Sequence, residues 1–366
     1  MLLVCIAVLS TACTPVSESG GNPEINQSQL DQLLAHFPMF SGSIVIAQNG
    51  EITASAHTGF ADKKSCTLND AETLHSVASV GKMFTAVAIA QLVEAKLTNY
   101  DTPVTRILPE LRNQLPEAVS VDNLLHHTSG LQQITGIDDT TLESIENNSD
   151  YFALILSTGI SSEGPTEFAY NNANFQILGE IIERLSGQTY ESYVREHVSD
   201  PINMAGPMFV RRDRAGDLPV AQHYLAVDFE TWWNSEESIV AKSVDQFVHT
   251  APPETPSAGG GAFVTALDMI RFAHALRGGT LISVESFEEM CSLEGGEAAT
   301  GRGYGRGCSV DVFEQGRRVG HTGSTAGIQA RFFMYLDQGL DVVVLSNHDE
   351  QAAPIFAAID SQILGR

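Results

Sequence analysis

A serine and a lysine three positions apart stand at the start of a strongly apolar segment. Ser79 and Lys82 precede residues 83–95, where apolar side chains recur at spacings of three and four, as in a helix. Residues three apart at a helix start lie on one face, so the lysine amine can reach the serine hydroxyl. A serine hydroxyl becomes a nucleophile only when a neighbouring base accepts its proton, and a desolvated amine is such a base. Taken alone, however, the spacing favours a simpler interpretation, a helix-capping serine beside a lysine whose stem covers the helix.

A tyrosine and an asparagine could complete such a site. Tyr170 and Asn172 stand just before a second segment of helical periodicity, 175–185. A phenol near a lysine can take part in proton transfer, and an asparagine amide can bind both a lysine and a substrate amide. These residue types are also common in loops at helix starts, so the pair gains weight only beside Ser79 and Lys82.

A third set of residues lies near the C-terminus in a segment with strand character. His321, Thr322 and Gly323 are followed by Ser324. A glycine in a strand lets another backbone approach closely, and a strand edge can bind an extended acyl substrate through main-chain hydrogen bonds. A lone strand histidine is more often a structural residue. Together, the three sets predict an acyl-transfer site assembled from distant parts of the chain.

The elements that must position these residues follow a strand–helix–strand order. Helical periodicity marks 30–36, 83–95, 175–185 and 351–364, whereas the alternation typical of strands marks 43–56, 318–322, 329–336 and 340–345. Asn49–Gly50 and Gln338–Gly339 supply hairpin turns. Strands at both ends of the chain predict one sheet, with the helical middle as an inserted lobe.

The composition narrows the class of partner. The chain has 366 residues, of which 43% are hydrophobic and 18% charged, as expected of a globular protein rather than a disordered chain or a disulfide scaffold. Its 45 acidic and 20 basic residues give a net charge of −25. Such a surface repels phosphate backbones, so we expect a small-molecule or peptide substrate and no nucleic acid.

The N-terminus has the pattern of a targeting signal. Residues 1–12 are apolar but too short to span a bilayer as a mature helix, and Cys13 follows a run of small residues. This pattern predicts an export signal over 1–12, a flexible tether over 13–28 and Cys13 as a lipidation candidate. The expected location is the periplasm, or the cell envelope through a lipid on Cys13. An ordinary export signal or a misassigned start codon is the alternative.

In chain order, the S-x-x-K, Y-x-N and H-T-G motifs resemble those of the serine hydrolases that include class C β-lactamases, D-Ala-D-Ala carboxypeptidases and family VIII esterases. The resemblance runs from about residue 30 to the C-terminus. It is carried by the sequence around the motifs at 75–111, 168–187 and 320–336, and by LLHHTSGL at 124–131 and SAGGGAFVTALDMIRFAHAL at 257–276.

The resemblance implies an α+β fold of the β-lactamase/transpeptidase type. An antiparallel sheet would be flanked by the terminal helices, an all-α lobe would pack beside it, and the site would lie in the groove between them. The hydrolase domain would cover 29–366. Its α/β lobe would comprise about 29–78 and 252–366, and its helical lobe about 82–251.

The resemblance also implies a role for each motif residue. Ser79 would be the nucleophile, with Lys82 and Tyr170 sharing general-base and proton-shuttle work. Asn172 would orient the substrate amide, and His321, Thr322 and Gly323 would help to bind the substrate. The backbone N–H groups of Ser79 and Ser324 would form the oxyanion hole. Neither a metal nor an organic cofactor is implied.

The motifs indicate less directly which type of serine hydrolase this chain resembles. β-Lactamases of this group usually carry a lysine where this chain has His321, so the resemblance favours a D-Ala-D-Ala carboxypeptidase, a D-aminopeptidase or an esterase, with a class C-type β-lactamase as the alternative. Arg331 is the nearest downstream cation, and 228–233 (DFETWW) supplies aromatic side chains for a pocket wall or for packing.

Two further hypotheses come from other classes of function. One is a catalytically silent envelope protein of the same fold that binds peptidoglycan-derived material. The other is a metal-dependent hydrolase that uses His75, His126 or His127. The segment LLHHTSGL, however, matches a loop and helix turn of the family, which favours a structural role for its histidines. Cys291 and Cys308 could pair in an oxidising compartment. The chain lacks G-x-S-x-G, and 301–307 (GRGYGRG) fits a strand better than a phosphate loop.

Overall fold

The computed structural model describes most of the chain from residue 25 onwards. The described ranges are 25–134, 137, 139–206, 209–235, 241–252, 255–293 and 301–366. The predicted export signal, Cys13 and most of the tether lie outside them. The tether prediction extends too far, because Ile25 is buried and Asn26 already caps the first helix through a reciprocal bond with Gln29.

A seven-stranded antiparallel sheet joins the two ends of the chain, as predicted. The strands are β1 Gly42–Gln48, β2 Glu51–Thr58, β3 Phe60–Asp62, β4 Thr67–Leu68, β5 His75–Ser76, β6 Tyr224–Leu225, β7 His249–Thr250, β8 Phe263–Val264, β9 Arg302–Tyr304, β10 Ser309–Phe313, β11 Gly316–Thr325, β12 Ile328–Tyr335 and β13 Leu340–Ser346. The order in the large sheet is β2-β1-β13-β12-β11-β10-β9. Both predicted hairpins, β1–β2 and β12–β13, are confirmed.

One edge of β11 remains open towards its C-terminal end. Pairing with β10 runs only from Gly316 to Gly320, whereas pairing with β12 continues to Thr325. Residues 321–325, which contain the H-T-G motif, therefore have a strand neighbour on one side only. The other side is free to face a different element or a ligand.

Helices cover both faces of the sheet. The described helices are α1 Gln27–Leu34, α2 Lys82–Glu94, α3 Val104–Ile107, α4 Val121–Leu125, α5 Asp139–Ser144, α6 Asn148–Thr158, α7 Asn172–Ser186, α8 Tyr190–Val194, α9 Phe229–Trp233, α10 Ala266–Arg277, α11 Val284–Met290 and α12 Ala352–Leu364. The terminal helices α1 and α12 share an apolar cluster with one face of the sheet. The opposite face joins α2, α7 and α10 in the main core. The predicted α+β class and flanking terminal helices are confirmed.

The helical middle is less uniform than the prediction of an all-α lobe. Short strands β6 and β7 pair within it, and β5 pairs with β8 across its boundary. These two-residue strands escape detection because they show no alternation in sequence. Cys291 and Cys308 are buried free thiols rather than a disulfide. None of the described helices is both long and apolar enough to span a membrane.

Candidate active site

Ser79 lies in a tight 3₁₀ turn, Ala78–Gly81, that leads directly into α2. The preceding residue, Ala78, has φ 43°, a left-handed conformation that is strained for a residue with a Cβ. Neighbouring backbone holds this turn: Val77 N–H donates to Ala262 O, and Gly261 N–H donates to Ala78 O, each at 3.0 Å. A Cβ on Gly260 would lie 2.5 Å from Ala78 O. The glycines at 259–261 therefore allow a second backbone to pack against the turn that presents Ser79.

Lys82 is the first residue of α2 and is fully buried. Its Nζ lies 3.2 Å from Ser79 Oγ, 2.8 Å from Asn172 Oδ1 and 2.5 Å from Gly259 O. The last two atoms can only accept hydrogen bonds. The amine is therefore fixed beside the serine rather than extended towards solvent, which excludes the simpler interpretation of a lysine covering the helix.

Tyr170 approaches Ser79 from the other side, on the loop before α7. Its hydroxyl donates to Ser79 Oγ at 2.8 Å, and its ring lies 4.9 Å from Lys82 Nζ. Burial of the phenol raises the pKa of Tyr170 to about 12, although the bond to Ser79 acts in the opposite direction. At neutral pH the tyrosine is consequently a phenol and can serve as a proton donor.

The start of α7 holds the second motif in place. Asn171 caps the helix by accepting from Ala173 N–H at 2.9 Å, and its own amide donates to Leu131 O at 2.9 Å. Asn172 is exposed at the first position of the helix, with its carbonyl oxygen on Lys82. Its amide is in position to serve both the lysine and a bound ligand.

His321 lies behind the site, which differs from the sequence prediction of a substrate-orienting side chain. It is buried, Nε2 lies 2.8 Å from the Tyr304 hydroxyl, and Nδ1 bonds to Thr322 O. Because a carbonyl can only accept, Nδ1 carries the hydrogen and Nε2 accepts from Tyr304. Burial lowers the pKa of His321 to about 3, so the ring is neutral. Both nitrogens thus bind protein atoms.

The remainder of the third motif forms the wall of the site. Thr322 and Ser324 are exposed, whereas Gly323 is buried against the turn before Ser79. A Cβ on Gly323 would lie 2.2 Å from Val77 O, so only glycine permits this approach. The predicted reason for the glycine is confirmed.

A small cavity of about 160 Å³ opens at Ser79. Its lining consists mainly of polar side chains and glycines: Ala78, Ser79, Tyr151, Asn172, Gln176, Thr255, Ser257, Gly259, Gly260, Gly261, Ser324 and Thr325. Ser79 and Ser324, the predicted oxyanion-hole residues, line the same cavity. Their backbone role stays a prediction.

Several of these residues were not singled out from the sequence. Gly259 contributes its carbonyl to Lys82, and Tyr304 bonds to His321. The three consecutive glycines at 259–261 are a signal that could have identified the first. Nothing in the local sequence marks Tyr304, which reaches His321 only through the pairing of β9, β10 and β11.

The other candidates lie outside this cavity. His126 pairs with Asp122, with Nδ1 3.1 Å from Oδ2, and His75 bonds to Ser43. No cluster of three or more metal-ligating side chains is found among the described residues. The aromatic residues at 229–233 form α9, and none lines the cavity at Ser79. Residues 302–304 form a strand, as predicted for the glycine-rich segment.

Comparison with known proteins places these features in a family. The family model described as Beta-lactamase matches residues 30–362. The penicillin-binding protein homologue PbpX of Bacillus subtilis (strain 168) is 29% identical over 72% of this chain, and the match spans 62% of PbpX. Esterase EstB of Burkholderia gladioli is 25% identical over 92% of this chain and 93% of its own length.

A solved structure also matches most of this chain. A penicillin-binding protein from Bacillus halodurans superimposes with a TM-score of 0.74 at 25% identity, covering 91% of this chain and 99% of the other. The matched family model takes in Ser79, Lys82, Tyr170 and the H-T-G strand. The chain belongs to the Beta-lactamase family, within the superfamily of β-lactamase-fold serine hydrolases.

Proposed function

We propose that this protein hydrolyses a small amide, peptide or ester through an acyl-enzyme on Ser79. The observation that carries the proposal is the convergence of two proton-transfer groups on one oxygen: Lys82 Nζ at 3.2 Å and the Tyr170 hydroxyl at 2.8 Å from Ser79 Oγ. A nucleophile within hydrogen-bond distance of a base, which is itself oriented by further groups, is the requirement for this chemistry.

Lys82 and Tyr170 share the proton transfers in this proposal. In this proposal Lys82 acts as a neutral amine: it keeps its contacts with Asn172 Oδ1 and Gly259 O and turns its lone pair towards the Ser79 hydroxyl, 3.2 Å away. As Ser79 Oγ attacks the substrate carbonyl, its proton passes to Lys82. Tyr170, a phenol because its pKa is raised to about 12, donates a proton to the leaving group and is reprotonated from Lys82.

The second half of the reaction releases the acyl group. A water molecule attacks the acyl-enzyme carbonyl and gives its proton to the same pair of residues, and Ser79 leaves as the hydroxyl. In both halves the carbonyl oxygen becomes negatively charged. We propose the backbone N–H groups of Ser79 and Ser324, which border the same cavity, as its hydrogen-bond donors.

The polar surroundings of the cavity favour a substrate with hydrogen-bonding groups next to the scissile bond. Arg331 offers a second point of recognition. It pairs across the sheet with Thr322, so both side chains lie on the same face. Its guanidinium donates to Ala330 O at 2.8 Å and to Gly323 O at 3.5 Å, and the negative charge of Glu350 favours its charged form. This cation beside an exposed threonine suits a substrate carboxylate, as in a D-Ala-D-Ala peptide.

Covalent labelling tests the proposal directly. Purified protein is incubated with a fluorescent penicillin and with a fluorophosphonate, beside Ser79→Ala and the exposed-serine control Ser65→Ala. We expect labelling of wild type and Ser65→Ala and none of Ser79→Ala. Absence of labelling with both probes in folded protein would favour the silent homologue, and inhibition by EDTA would favour a metal-dependent hydrolase.

Substrate comparison separates the finer alternatives. Rates with D-Ala-D-Ala peptides, p-nitrophenyl esters and nitrocefin are measured on the same preparation. A preference for peptides supports the carboxypeptidase or D-aminopeptidase assignment, a preference for esters supports an esterase like EstB, and efficient nitrocefin turnover supports the class C-type β-lactamase. His321 in place of lysine favours the first two.

The proposed location is the periplasm, or the cell envelope through a lipid on Cys13. The argument is the apolar run of residues 1–12 followed by Cys13. Metabolic labelling with a radioactive fatty acid, in wild type and Cys13→Ser, tests lipidation. Label on wild type alone supports a lipid anchor, and fractionation of Cys13→Ser with soluble periplasmic markers supports export as such.

A further inference from the structure

His127, the second histidine of LLHHTSGL, is not used in the proposed proton transfers, yet its backbone is unusual. It is completely buried, and its backbone has φ 56°, a left-handed conformation that residues other than glycine adopt uncommonly. Such a conformation persists only where the surroundings impose it. The contacts of His127 therefore indicate what the turn at this position is built to hold.

Those contacts bracket Tyr170 on both sides along the chain. Ala169 N–H donates to His127 O at 2.8 Å, and Asn171 N–H donates to His127 Nδ1 at 3.2 Å. The residues immediately before and after Tyr170 are thus bound to a single histidine. The path of the loop that carries the phenol is fixed at two points.

The hydrogen-bond pattern also fixes the state of the imidazole. Asn174 Nδ2 donates to His127 Nδ1 at 3.1 Å, and the orientation of that amide is set by the Ser129 hydroxyl, which donates to Asn174 Oδ1 at 2.6 Å. Because Nδ1 accepts from two donors, the ring hydrogen must be on Nε2. Burial lowers the pKa of His127 to about 2, so the ring is neutral.

The ring of His127 packs against the ring of Tyr170. The two centroids lie 4.3 Å apart with planes inclined by 39°. Phe175 and Tyr304 lie 5.1 Å and 5.0 Å from the same imidazole. Tyr304 also bonds to His321, so the aromatic group behind Tyr170 is connected to the H-T-G strand.

We propose that His127 is a positioning residue that holds the Tyr170 phenol on Ser79. It acts in two ways, by accepting the Asn171 N–H and by supporting the tyrosine ring. The inference rests on the proposed function, because it assigns His127 its effect only through the proton-donating role of Tyr170. A displacement of about 1 Å in such a group can cost on the order of 100-fold in rate.

Two substitutions separate the two actions. His127→Phe keeps an aromatic ring but removes the Nδ1 acceptor. His127→Asn provides an acceptor oxygen at the position of Nδ1 and tolerates the left-handed backbone, but it lacks the ring. The substrate is an alkyl ester or a D-Ala-D-Ala peptide, whose leaving group must be protonated. We expect kcat to fall about 10- to 100-fold in His127→Phe, with KM within about threefold, and to recover in part in His127→Asn. His126→Asn, next in the chain and bonded to Asp122, is the matched control and should retain kcat.

The decisive measurement repeats His127→Phe in a Tyr170→Phe background. If His127 acts through the phenol, adding His127→Phe to Tyr170→Phe should change kcat by less than about threefold. The melting temperature should nevertheless fall by the same amount as when His127→Phe is made in the wild type. An equal fold-loss in both backgrounds would overturn the proposal. If His127→Phe does not fold, the same comparison is made with His127→Asn. Full activity of Tyr170→Phe would overturn the proton-donating role of Tyr170 and this inference with it. Absence of covalent labelling at Ser79 would overturn the proposed function itself.

Discussion

The Tyr170 hydroxyl lies 2.8 Å from Ser79 Oγ, although the two residues are separated by 91 positions in the chain. The contact depends on two loops held from different directions. The turn at Ser79 is bound to the backbone at 261–262, and the loop at Tyr170 is bound to His127. The contact between Tyr170 and Ser79 therefore forms where the helical lobe packs against the sheet, and no local motif produces it.

Removal of the phenol tests this relationship. In Tyr170→Phe, the ring can still pack on His127, but the proton donor to the leaving group is absent. We expect kcat to fall about 10²- to 10⁴-fold, with the circular dichroism spectrum and melting temperature near those of wild type. Steady-state hydrolysis of an alkyl ester or a D-Ala-D-Ala peptide, whose leaving group must be protonated, measures the loss. Tyr193→Phe, in α8, serves as the control, and equal activity in both variants would contradict the assigned role.

The close approach at Gly323 gives a second prediction. An added Cβ would lie 2.2 Å from Val77 O, a backbone atom that cannot rotate away. Gly323→Ala should push β11 from the Ser79 turn and displace Ser324 from the cavity. We expect a loss of stability of about 1–3 kcal/mol and a fall in kcat of about 10²- to 10³-fold.

Gly159→Ala is the matched control for Gly323→Ala. Gly159 has φ 64°, an added Cβ there would meet nothing within 4 Å, and the residue does not line the cavity at Ser79. The variant should therefore lose stability through backbone strain, by about 1 kcal/mol, and retain kcat. Urea denaturation and initial rates on the same samples separate the effects. A parallel loss of activity in both variants would mean that kcat follows the stability of the protein and does not depend on the close approach of Gly323 to Val77 O.

The parts of the structure that sequence predicted are those with a local signal. The Ser79–Lys82 contact follows from a spacing of three at a helix start, and the β1–β2 hairpin follows from Asn49–Gly50, whose φ values of 52° and 86° suit a tight turn. A single sheet built from both ends of the chain follows from the strand patterns there, and the α+β class follows from the family resemblance.

The features that the sequence did not predict depend on contacts between residues that are far apart in the chain. Gly259 O reaches Lys82 from 177 positions away, and Tyr304 meets His321 only because three strands bring them together. The sequence indicates only a structural role for His127, since no pattern reveals that its ring would support Tyr170. Side-chain burial also changed the expected role of His321, whose nitrogens are both bound within the protein.

The cation at Arg331 predicts a split in substrate preference. Arg331→Gln keeps a hydrogen-bonding side chain but removes the charge beside Thr322. We expect KM for a peptide with a free C-terminal carboxylate to rise about 10- to 100-fold, because a charge-assisted hydrogen bond contributes roughly 1.5–3 kcal/mol. KM for a neutral p-nitrophenyl ester should remain unchanged.

The control for Arg331→Gln is Arg302→Gln in β9, whose side chain is 68% exposed and pairs with Asp311. This variant makes the same change in net charge away from the cavity. Unchanged peptide KM in Arg331→Gln, or an equal rise in both variants, would show that the carboxylate is not recognised at Arg331.

Buried neutral histidines predict that the protein loses stability in mild acid. Burial lowers the pKa of His75, His321 and His348 to about 3. That of His127 falls to about 2. In the unfolded chain these groups titrate near 6.5, so the unfolded state binds more protons as the pH falls from about 6.5 towards 3. Stability is therefore fully present above about pH 6.5 and decreases below it.

The size of the effect follows from linkage. Each such histidine can contribute up to about 1.4 kcal/mol per pH unit between those limits. Asp349 acts in the opposite sense, because burial raises its pKa to about 6, but it offsets only one of the four. We expect the urea midpoint to fall steadily from pH 7 to pH 5. In His75→Gln, the free energy of unfolding should vary less steeply with pH, by the amount that corresponds to about one bound proton. The exposed-histidine control His249→Gln should keep the wild-type dependence on pH. A midpoint that is constant or rises over this range would mean that the buried imidazoles are charged in the folded protein.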